Sequence, residues 1–312
     1  MSKKFYPKRI SFFRDYQGYT GGHQKVHDYI EHTLSASVIE VDLYLSAKSR
    51  TRPDLFSNFS PSVYQSIYDP TKAELVFLAG MDWHSYLPFY DEAQSRINLI
   101  QHVRHADPSQ PLFEFLQYPA TRICVSEAVR QAILPYANGR CITIKMGHVI
   151  PKLKRKKCYD LYILANKRPA LGQRLFEWAQ KQNWKVKLHA SNVAPLDVYQ
   201  AMASSRISLP LPNKTEGFYL PGIEAMSLSD WAVVPDCVAN REYESIWANI
   251  TLCEPDFESC CHAITKAAQR VGSPLLQLNK WIGKQKAYSY SLAKERAHYL
   301  NVLKGARETN SR

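Results

Sequence analysis

The stretch RISLPLPNKTEGFYLPGIEAMSLSDWAVVPD (206–236) decides the fold, because its pattern predicts a strand, a loop, a helix and a second strand in succession. Residues 206–212 and 230–236 are short apolar runs of the kind that form buried strands. Between them, Pro221 lies where the first turn of a helix over 220–228 begins, a position that proline favours. Two short strands joined by a helix predict parallel pairing in an α/β sheet.

The same alternation of apolar runs and helical segments extends to both sides of this stretch. Further strand candidates lie at 9–13, 38–45, 73–80, 96–103, 120–126, 141–146, 158–165 and 184–190. Further helix candidates lie at 21–34, 126–136, 170–182 and 195–205, and the tail 278–303 has a helical pattern. Because the charged run KLKRKK (152–157) separates two such series, we predict two Rossmann-like domains over 1–152 and 153–280. A C-terminal helical segment over 281–312 follows, and we expect it to pack back on the first domain.

Length and charge limit the functional classes without choosing among them. The 312 residues suffice for two domains, and 45% hydrophobic with 22% charged residues is typical of a globular protein. The formal net charge of +12 favours polyanionic partners, namely nucleic acid, anionic lipid or phosphorylated small molecules. The run at 152–157 predicts either a solvated linker or a contact with a membrane surface or nucleic acid.

Cysteine usage and hydropathy predict where the protein works. The seven cysteines form no C-x-x-C pair, which argues against a disulfide framework and against a structural zinc site. No apolar stretch approaches the ~18 residues that a membrane span needs. We therefore expect a cytoplasmic protein whose membrane association, if any, is peripheral and on the inner face.

Two segments of the first half place suitable groups after predicted strands, where α/β sheets bind ligands. Gly21 and Gly22 allow a tight turn before a helix whose N-terminal amides favour an anion, with a plain glycine turn as the alternative. His102 and His105 lie at or just beyond the end of a predicted strand. Either histidine can donate a hydrogen bond to a sugar hydroxyl or to developing charge, and a structural role is the alternative.

The third segment carries the sharpest signal, a pair of glutamates in apolar surroundings. Glu216 ends the loop after a predicted strand, and Glu224 lies on the following helix. The flanking residues are apolar or small, so both carboxylates are expected in a partly buried site. Burial without hydrogen-bond partners is costly, and ligand hydroxyls would supply such partners.

EGFYLPGIEAM (216–226) resembles the E-x7-E signature of retaining GT-B glycosyltransferases of the family 4 type. Other steps of that family follow in order over most of residues 9–245. They are TGGHQKV (20–26), INLIQH (97–102), ICVSEAVRQAI (123–133), IKMGHVIP (144–151), LDVYQAMASSRISLPLP (196–212) and VANREY (238–243). The resemblance implies the GT-B fold, in which two parallel sheets face each other across a cleft.

The resemblance also implies roles for the residues of the signature. Glu224 would hold the ribose hydroxyls of a donor nucleotide, and Glu216 would contact the donor sugar. Backbone N–H groups of Gly217, Phe218 and Tyr219 would lie beside them. One departure is Tyr219 itself, which stands where the family's GFG triplet has its second glycine and leaves the backbone less free.

Further roles implied by the resemblance fall outside the signature. His102 would hydrogen-bond the sugar at its reacting side. Lys167 and Arg168 would neutralise the diphosphate, although the family's basic residues stand several positions apart and these two are adjacent. Gly21 and Gly22 would line the cleft from the other side, where their amides could contact the diphosphate or the acceptor.

The expected activity is transfer of a sugar, hexosyltransferase-like, from a nucleotide-diphosphate sugar with retention of anomeric configuration. The acceptor would be a glycan, a lipid-linked or a lipopolysaccharide-type molecule. The sequence contains no D-x-D, and lysine, arginine and helix N-termini can neutralise a departing diphosphate, so we expect no metal and no other cofactor. Two alternatives are a nucleic-acid-modifying glycosyltransferase and a non-catalytic GT-B nucleotide-binding partner subunit. Because no nucleic-acid-binding motif is present, an anionic membrane surface ranks above nucleic acid as a partner.

Overall fold

The computed structural model describes residues 6–49 and 55–305, and the chain falls into two compact units. The first combines the residues up to Met146 with those from Leu292 onward, and the second is Gly147–Ser291. Residues 1–5, 50–54 and 306–312 belong to the predicted first domain and the predicted C-terminal segment, and they lie outside the described residues.

The first unit is built on a parallel sheet of six strands in the order β2-β1-β3-β4-β5-β6. The strands are β1 (Arg9–Arg14), β2 (Glu40–Leu45), β3 (Leu75–Ala79), β4 (Ser95–Ile100), β5 (Thr121–Cys124) and β6 (Cys141–Thr143). The helices of this unit are α1 (Gly21–Leu34), α2 (Asp82–Tyr86), α3 (Glu127–Ile133) and α9 (Leu292–Gly305). Ile10 pairs with Val41 on one side and with Leu75 on the other, and all three side chains are buried. The central strands therefore form the core of the unit.

The C-terminal helix α9 belongs to the first unit because it packs on α1. Glu295 of α9 is buried and accepts hydrogen bonds from Lys25 Nζ at 2.8 and 3.1 Å. Tyr299 meets Tyr29 edge-on, with ring centroids 4.8 Å apart. A buried carboxylate is stable when a cation and hydrogen bonds satisfy it, and Lys25 provides both.

The second unit has a parallel sheet of five strands in the order β11-β10-β9-β7-β8. The strands are β7 (Tyr159–Leu164), β8 (Val186–His189), β9 (Ser205–Pro210), β10 (Trp231–Pro235) and β11 (Ile250–Cys253). The helices are α4 (Pro169–Lys181), α5 (Pro195–Ala203), α6 (Leu220–Leu228), α7 (Phe257–Val271) and α8 (Leu276–Tyr288). The predicted helical tail 278–303 is two helices, and β11 with α7 adds a strand and a helix that the sequence pattern did not reveal.

Two parallel sheets with helices confirm the predicted α/β class. All seven cysteines are free, and they lie within the described residues. No helix in the described part of the chain combines the length and apolar character needed to cross a bilayer.

Candidate active site

In the second unit the chain leaves β7 in one direction to form β8 and then crosses to β9 on the other side. The loops that follow β7 and β9 therefore diverge, and ligands of open α/β sheets bind at the carboxyl ends of the strands at such a switch point. Lys167 follows β7 and Glu216 follows β9. Both predicted site residues thus lie at the position that the topology favours.

Lys167 and Glu216 form an ion pair at this switch point. Lys167 Nζ donates a hydrogen bond to Glu216 Oε1, and Asn213 Nδ2 donates to the same oxygen at 3.3 Å. The Glu216 side chain is buried, whereas the Lys167 side chain is 34% exposed. A partly exposed pair contributes little to folding, so its ammonium can turn to a ligand at small cost.

Glu224 lies on α6 and is buried. Burial raises the pKa of its carboxyl from 4.5 to about 7, while a hydrogen bond from Tyr199 acts in the opposite direction. The Tyr199 hydroxyl of α5 donates to Glu224 Oε1 at 3.2 Å, and it is the partner found for this carboxylate among the described residues. A poorly hydrated carboxylate with one donor is suited to accept hydrogen bonds from ligand hydroxyls.

Tyr219 lies close to Lys167 and to both glutamates. Its ring lies under Lys167, with Nζ 5.1 Å from the ring centroid. Its backbone N–H donates to the Tyr243 hydroxyl at 3.2 Å, so this amide is already used within the protein. Its own hydroxyl is buried and has no hydrogen-bond partner among the described residues. Burial raises the pKa of this phenol well above its usual value, and the charges of Glu216 and Glu224 add to the shift.

The remaining residues of the signature pack around this group. Gly217 is buried, and the half-buried Phe218 meets the Tyr243 ring edge-on, with centroids 6.0 Å apart. A Cβ added at Gly222 would lie 2.9 Å from Asn240 Oδ1, so glycine is what allows α6 to approach this turn closely.

The side chains of Lys167 and Arg168 have different hydrogen-bond partners. The Arg168 guanidinium donates from Nη1 to the Pro255 carbonyl at 2.7 Å, in the loop after β11. Its guanidinium is thus engaged at a different loop from the Glu216 site. A diphosphate contact by Lys167 needs no rearrangement of this kind, whereas one by Arg168 requires loss of the Pro255 hydrogen bond.

Gly21 and Gly22 form the first turn of α1 in the first unit. Thr20 caps this helix, because its Oγ1 accepts the His23 N–H at 3.2 Å. A Cβ added at Gly21 would meet nothing within 4 Å, and one at Gly22 would lie 3.5 Å from the Gln101 side chain. The amides of Gly21 and Gly22, unlike that of His23, are left to bind an anion, as at other helix N-termini.

The two histidines after β4 differ in their surroundings. His105 is buried, its Nδ1 lies 2.9 Å from the His102 carbonyl oxygen, and burial lowers its pKa to about 4. His105 therefore stays neutral and fixes the local backbone. His102 is half-buried, so its ring is the one of the two that a ligand can reach. The sugar contact by His102 stays a prediction.

Sequence reasoning missed a charged group at the switch point of the first unit, between β1 and β3. Arg14 ends β1, and its Nη1 donates to Asp82 Oδ2 at 2.7 Å; both residues are buried. Arg14 Nη2 lies 2.8 Å from His23 Nδ1, and burial together with the arginine charge lowers the pKa of His23 to about 4. In the sequence, the signal for this group was the charged residue Arg14 directly after the apolar run 9–13.

One set of side chains in the described residues has the spacing of metal ligands. His27, Asp28 and Glu31 of α1 place one ligand atom each within 4.8 Å of one another. The Asp28 carboxylate is already bonded, by Lys25 Nζ at 2.6 Å and by Gln24 Nε2 at 2.8 Å. A lysine ammonium therefore already neutralises the charge of this carboxylate.

No protein-family model and no curated protein matches this chain by sequence. Solved structures match it by fold. A glycosyltransferase from Rickettsia africae superposes with a TM-score of 0.71 at 12% identity, covering 96% of this chain and 98% of the other. Sucrose-phosphate synthase from Thermosynechococcus elongatus gives a TM-score of 0.69 at 11% identity, covering 95% and 98%. HepE of Anabaena in complex with UDP-glucose gives 0.69 at 13% identity, covering 95% and 99%.

These similarities confirm the predicted GT-B fold, because they extend over nearly the whole of each chain. Low sequence identity with a shared fold does not transfer activity, since function resides in the site rather than in the fold. Function is therefore inferred from the group formed by Lys167, Glu216, Tyr219 and Glu224.

Proposed function

We propose that this chain is a retaining, metal-independent glycosyltransferase that takes a hexose from a UDP-sugar or a related nucleotide-diphosphate sugar. Its acceptor is a glycan or a lipid-linked sugar. The observation that carries the proposal is the pairing of Lys167 with Glu216 beside the buried Glu224, at the switch point of the second sheet. The structure of HepE with UDP-glucose, a neighbour in fold, supports the choice of UDP as the first donor nucleotide to test.

The chemistry of these groups suits a departing nucleoside diphosphate. Negative charge grows on the diphosphate as the glycosidic bond breaks, and a positioned ammonium stabilises that charge most in the transition state. Lys167 Nζ is partly exposed and paired with a single carboxylate, so it can move onto the diphosphate. Glu216, released from the lysine, can then accept hydrogen bonds from sugar hydroxyls.

The same arrangement supports independence from a metal ion. The cationic role is filled by Lys167 and by the amides at the N-terminus of α6, whose macrodipole adds positive potential. Glu224 takes the ribose, because its carboxyl has one donor among the described residues and lies on the same helix.

The proposal is tested first by binding and then by turnover. We expect UDP to raise the melting temperature of the protein in a concentration-dependent manner, since a ligand that binds only the folded state stabilises it. We expect slow release of UDP from UDP-glucose even without acceptor, and the rate should be unchanged by EDTA. Activity that EDTA abolishes and Mn²⁺ restores would contradict the metal-independent mechanism.

Stereochemistry and acceptor need separate measurements. NMR of the product formed on a simple sugar acceptor should show the anomeric configuration of the donor. UDP binding without release of UDP in the presence of any glycan or lipid-linked acceptor would favour the non-catalytic subunit instead.

A further inference from the structure

Helix α8 of the second unit presents an apolar stripe to solvent. Asn279, Gly283 and Ala287 are buried, and they define the inner face of the helix. Leu278, Trp281 and Tyr288 follow a helical repeat on the opposite face and are exposed, Trp281 to 60%. The exposed Gln285 lies on the same face. A surface helix normally has charged or polar residues there, so three large apolar side chains exposed on one face mark an interaction site.

A loop beside α8 carries two further exposed apolar side chains. Asn279 Nδ2 of α8 donates to the Trp247 carbonyl at 2.8 Å, which fixes this loop along the helix. Ile246 is 93% exposed and Trp247 is 58% exposed. Leu275, at the start of α8, is exposed as well. We refer to Ile246, Trp247, Leu275, Leu278, Trp281 and Tyr288 as the apolar patch.

The basic run at 152–157 follows the same helix. Near the end of α8, His148 N–H donates to the Tyr290 carbonyl at 3.0 Å. In the middle of the helix, Lys157 and Lys280 share the carboxylate of Asp230, with Nζ to Oδ1 distances of 3.9 and 2.5 Å. The segment between these two points therefore runs antiparallel to α8.

Within this segment one lysine is structural and four cations are exposed. Lys157 Nζ donates to the carbonyls of Ala203 and Leu228 at 2.9 and 3.1 Å, at the C-terminal ends of α5 and α6. This anchors the run. The cations exposed to solvent are Lys152, Lys154, Arg155 and Lys156.

The charged residues along this surface are mostly positive. Residues 147–157 and helix α8 contain no Asp or Glu, while α8 adds Lys280, Lys284 and Lys286. Acidic residues near this surface include Asp230, which is paired with Lys280, the exposed Glu244, and Glu242, whose carbonyl accepts a hydrogen bond from the Tyr290 hydroxyl.

We propose that the apolar patch, flanked by the 152–156 cations, docks the second unit on an anionic lipid bilayer. Tryptophan and tyrosine favour the membrane–water interface, where the ring inserts and its polar atom stays hydrated. Neighbouring lysine and arginine residues are attracted to anionic headgroups. A second copy of the chain would bring these like charges together, so charge complementarity selects the lipid surface. The proposal is independent of the catalytic one.

The test is co-sedimentation of the full chain with vesicles of phosphatidylcholine alone or with about 30% phosphatidylglycerol at low salt. We expect binding to the anionic vesicles and loss of binding at high salt. Two variants remove one component each. They are Trp247→Ser with Trp281→Ser, and the fourfold Gln variant of Lys152, Lys154, Arg155 and Lys156. Each should lower the partition coefficient by at least about tenfold.

Matched controls carry the same kinds of change on the first unit. They are the Ser variant of the exposed Val38 and Ile67, and the Gln variant of the exposed Lys48, Lys72, Arg104 and Arg140. Both should bind vesicles as the wild type does. Every variant should keep its UDP-induced shift in melting temperature, which separates failure of docking from failure of the proposed function.

Quenching by brominated lipid gives an independent readout. Trp247 and Trp281 should account for the quenching of the wild type, and the double serine variant should show none. Absence of binding to anionic vesicles would overturn the proposal, as would equal binding by the tryptophan variant. Light scattering that shows a dimer, converted to a monomer by the same variant, would assign the patch to a second copy instead.

Discussion

The two sheets place an ion pair at the same topological position, but solvent reaches the two pairs to different degrees. In the first unit, Arg14 and Asp82 are joined at 2.7 Å with side chains that are 10% and 7% exposed. In the second unit, Lys167 is 34% exposed above the buried Glu216. Both partners of a buried pair are needed for stability, because removing one leaves an unpaired charge in the interior. A partly exposed pair can exchange its partner for a ligand.

The largest expected effect tests this view of the second unit. Lys167→Ala removes the ammonium proposed to stabilise the departing diphosphate. We expect UDP release from UDP-glucose to fall on the order of a hundred- to a thousandfold in kcat, as loss of a charge-stabilising group typically does. Glu216→Ala should fall by a similar amount, and both variants should unfold at urea concentrations close to that of the wild type.

Lys214→Ala is the matched control for this prediction. Lys214 is exposed and belongs to the same loop as Glu216, two residues before it. It should keep wild-type turnover. Equal losses in the Lys214 and Lys167 variants would mean that general positive charge, rather than one positioned ammonium, supports the reaction.

The second prediction concerns the buried pair of the first unit. Arg14→Met leaves the Asp82 carboxylate without its cation, and we expect a loss of about 3–5 kcal/mol in the free energy of unfolding. Lys167→Met should cost less than about 1 kcal/mol. Urea denaturation followed by circular dichroism measures both. A double variant, Arg14→Met with Asp82→Leu, should recover most of the loss because no charge stays buried.

The pH dependence of this loss has a defined sign. Burial raises the pKa of Asp82 from 3.8 to about 6 even with Arg14 beside it. Because folding raises this pKa, the ionised form of Asp82 is disfavoured in the folded state. Its contribution to the free energy of unfolding therefore falls as pH rises through about 6. Without Arg14 the ionised form is less favourable still. The difference in stability between the Arg14→Met variant and the wild type should therefore be larger at pH 8 than at pH 5.

Strand and helix patterns predicted the fold class well, because parallel sheets bury near-continuous apolar runs. The run at 73–80 became β3 (Leu75–Ala79), and the run at 9–13 became β1 (Arg9–Arg14). The short strand β11 (Ile250–Cys253), which lies between the polar residues Asn249 and Glu254, was missed. The helical tail appeared continuous because the turn between α8 and α9 contains neither glycine nor proline.

Local spacing predicted the two glutamates of the candidate site, whereas Lys167 was predicted from the family resemblance. Glu216 and Glu224 share one loop and helix, so their spacing carries the signal. Tyr199 reaches Glu224 from helix α5 through tertiary packing, which no local pattern encodes. Lys167 and Arg168 bind different loops, which also depends on packing, because the Pro255 carbonyl that binds Arg168 lies 87 residues away in the sequence.

The third prediction asks whether Glu224 binds as a carboxylate. Its pKa of about 7 means that the free site is partly protonated near neutral pH. Ribose hydroxyls that donate to the carboxylate favour the ionised form, so UDP binding should release protons and strengthen as pH rises through about 7. Calorimetry in buffers of different ionisation enthalpy measures the release. Glu224→Gln should bind about tenfold more weakly and release fewer protons, and any change in protonation of the UDP phosphates cancels in this comparison.

The smallest expected effect concerns the Tyr219 hydroxyl, which is buried without a partner among the described residues. An unpartnered buried hydroxyl costs free energy that a ligand can recover by hydrogen bonding to it. Tyr219→Phe should therefore raise the melting temperature of the free protein slightly and weaken UDP-sugar binding several-fold, by about 1 kcal/mol. Tyr243→Phe is the contrasting variant, because the Tyr243 hydroxyl already accepts the Tyr219 N–H and its loss should lower stability. If Tyr219→Phe is more stable but binds the UDP-sugar as tightly as the wild type, the hydroxyl is part of the core. The buried groups of the second unit would then be structural, as Arg14 and Asp82 are in the first.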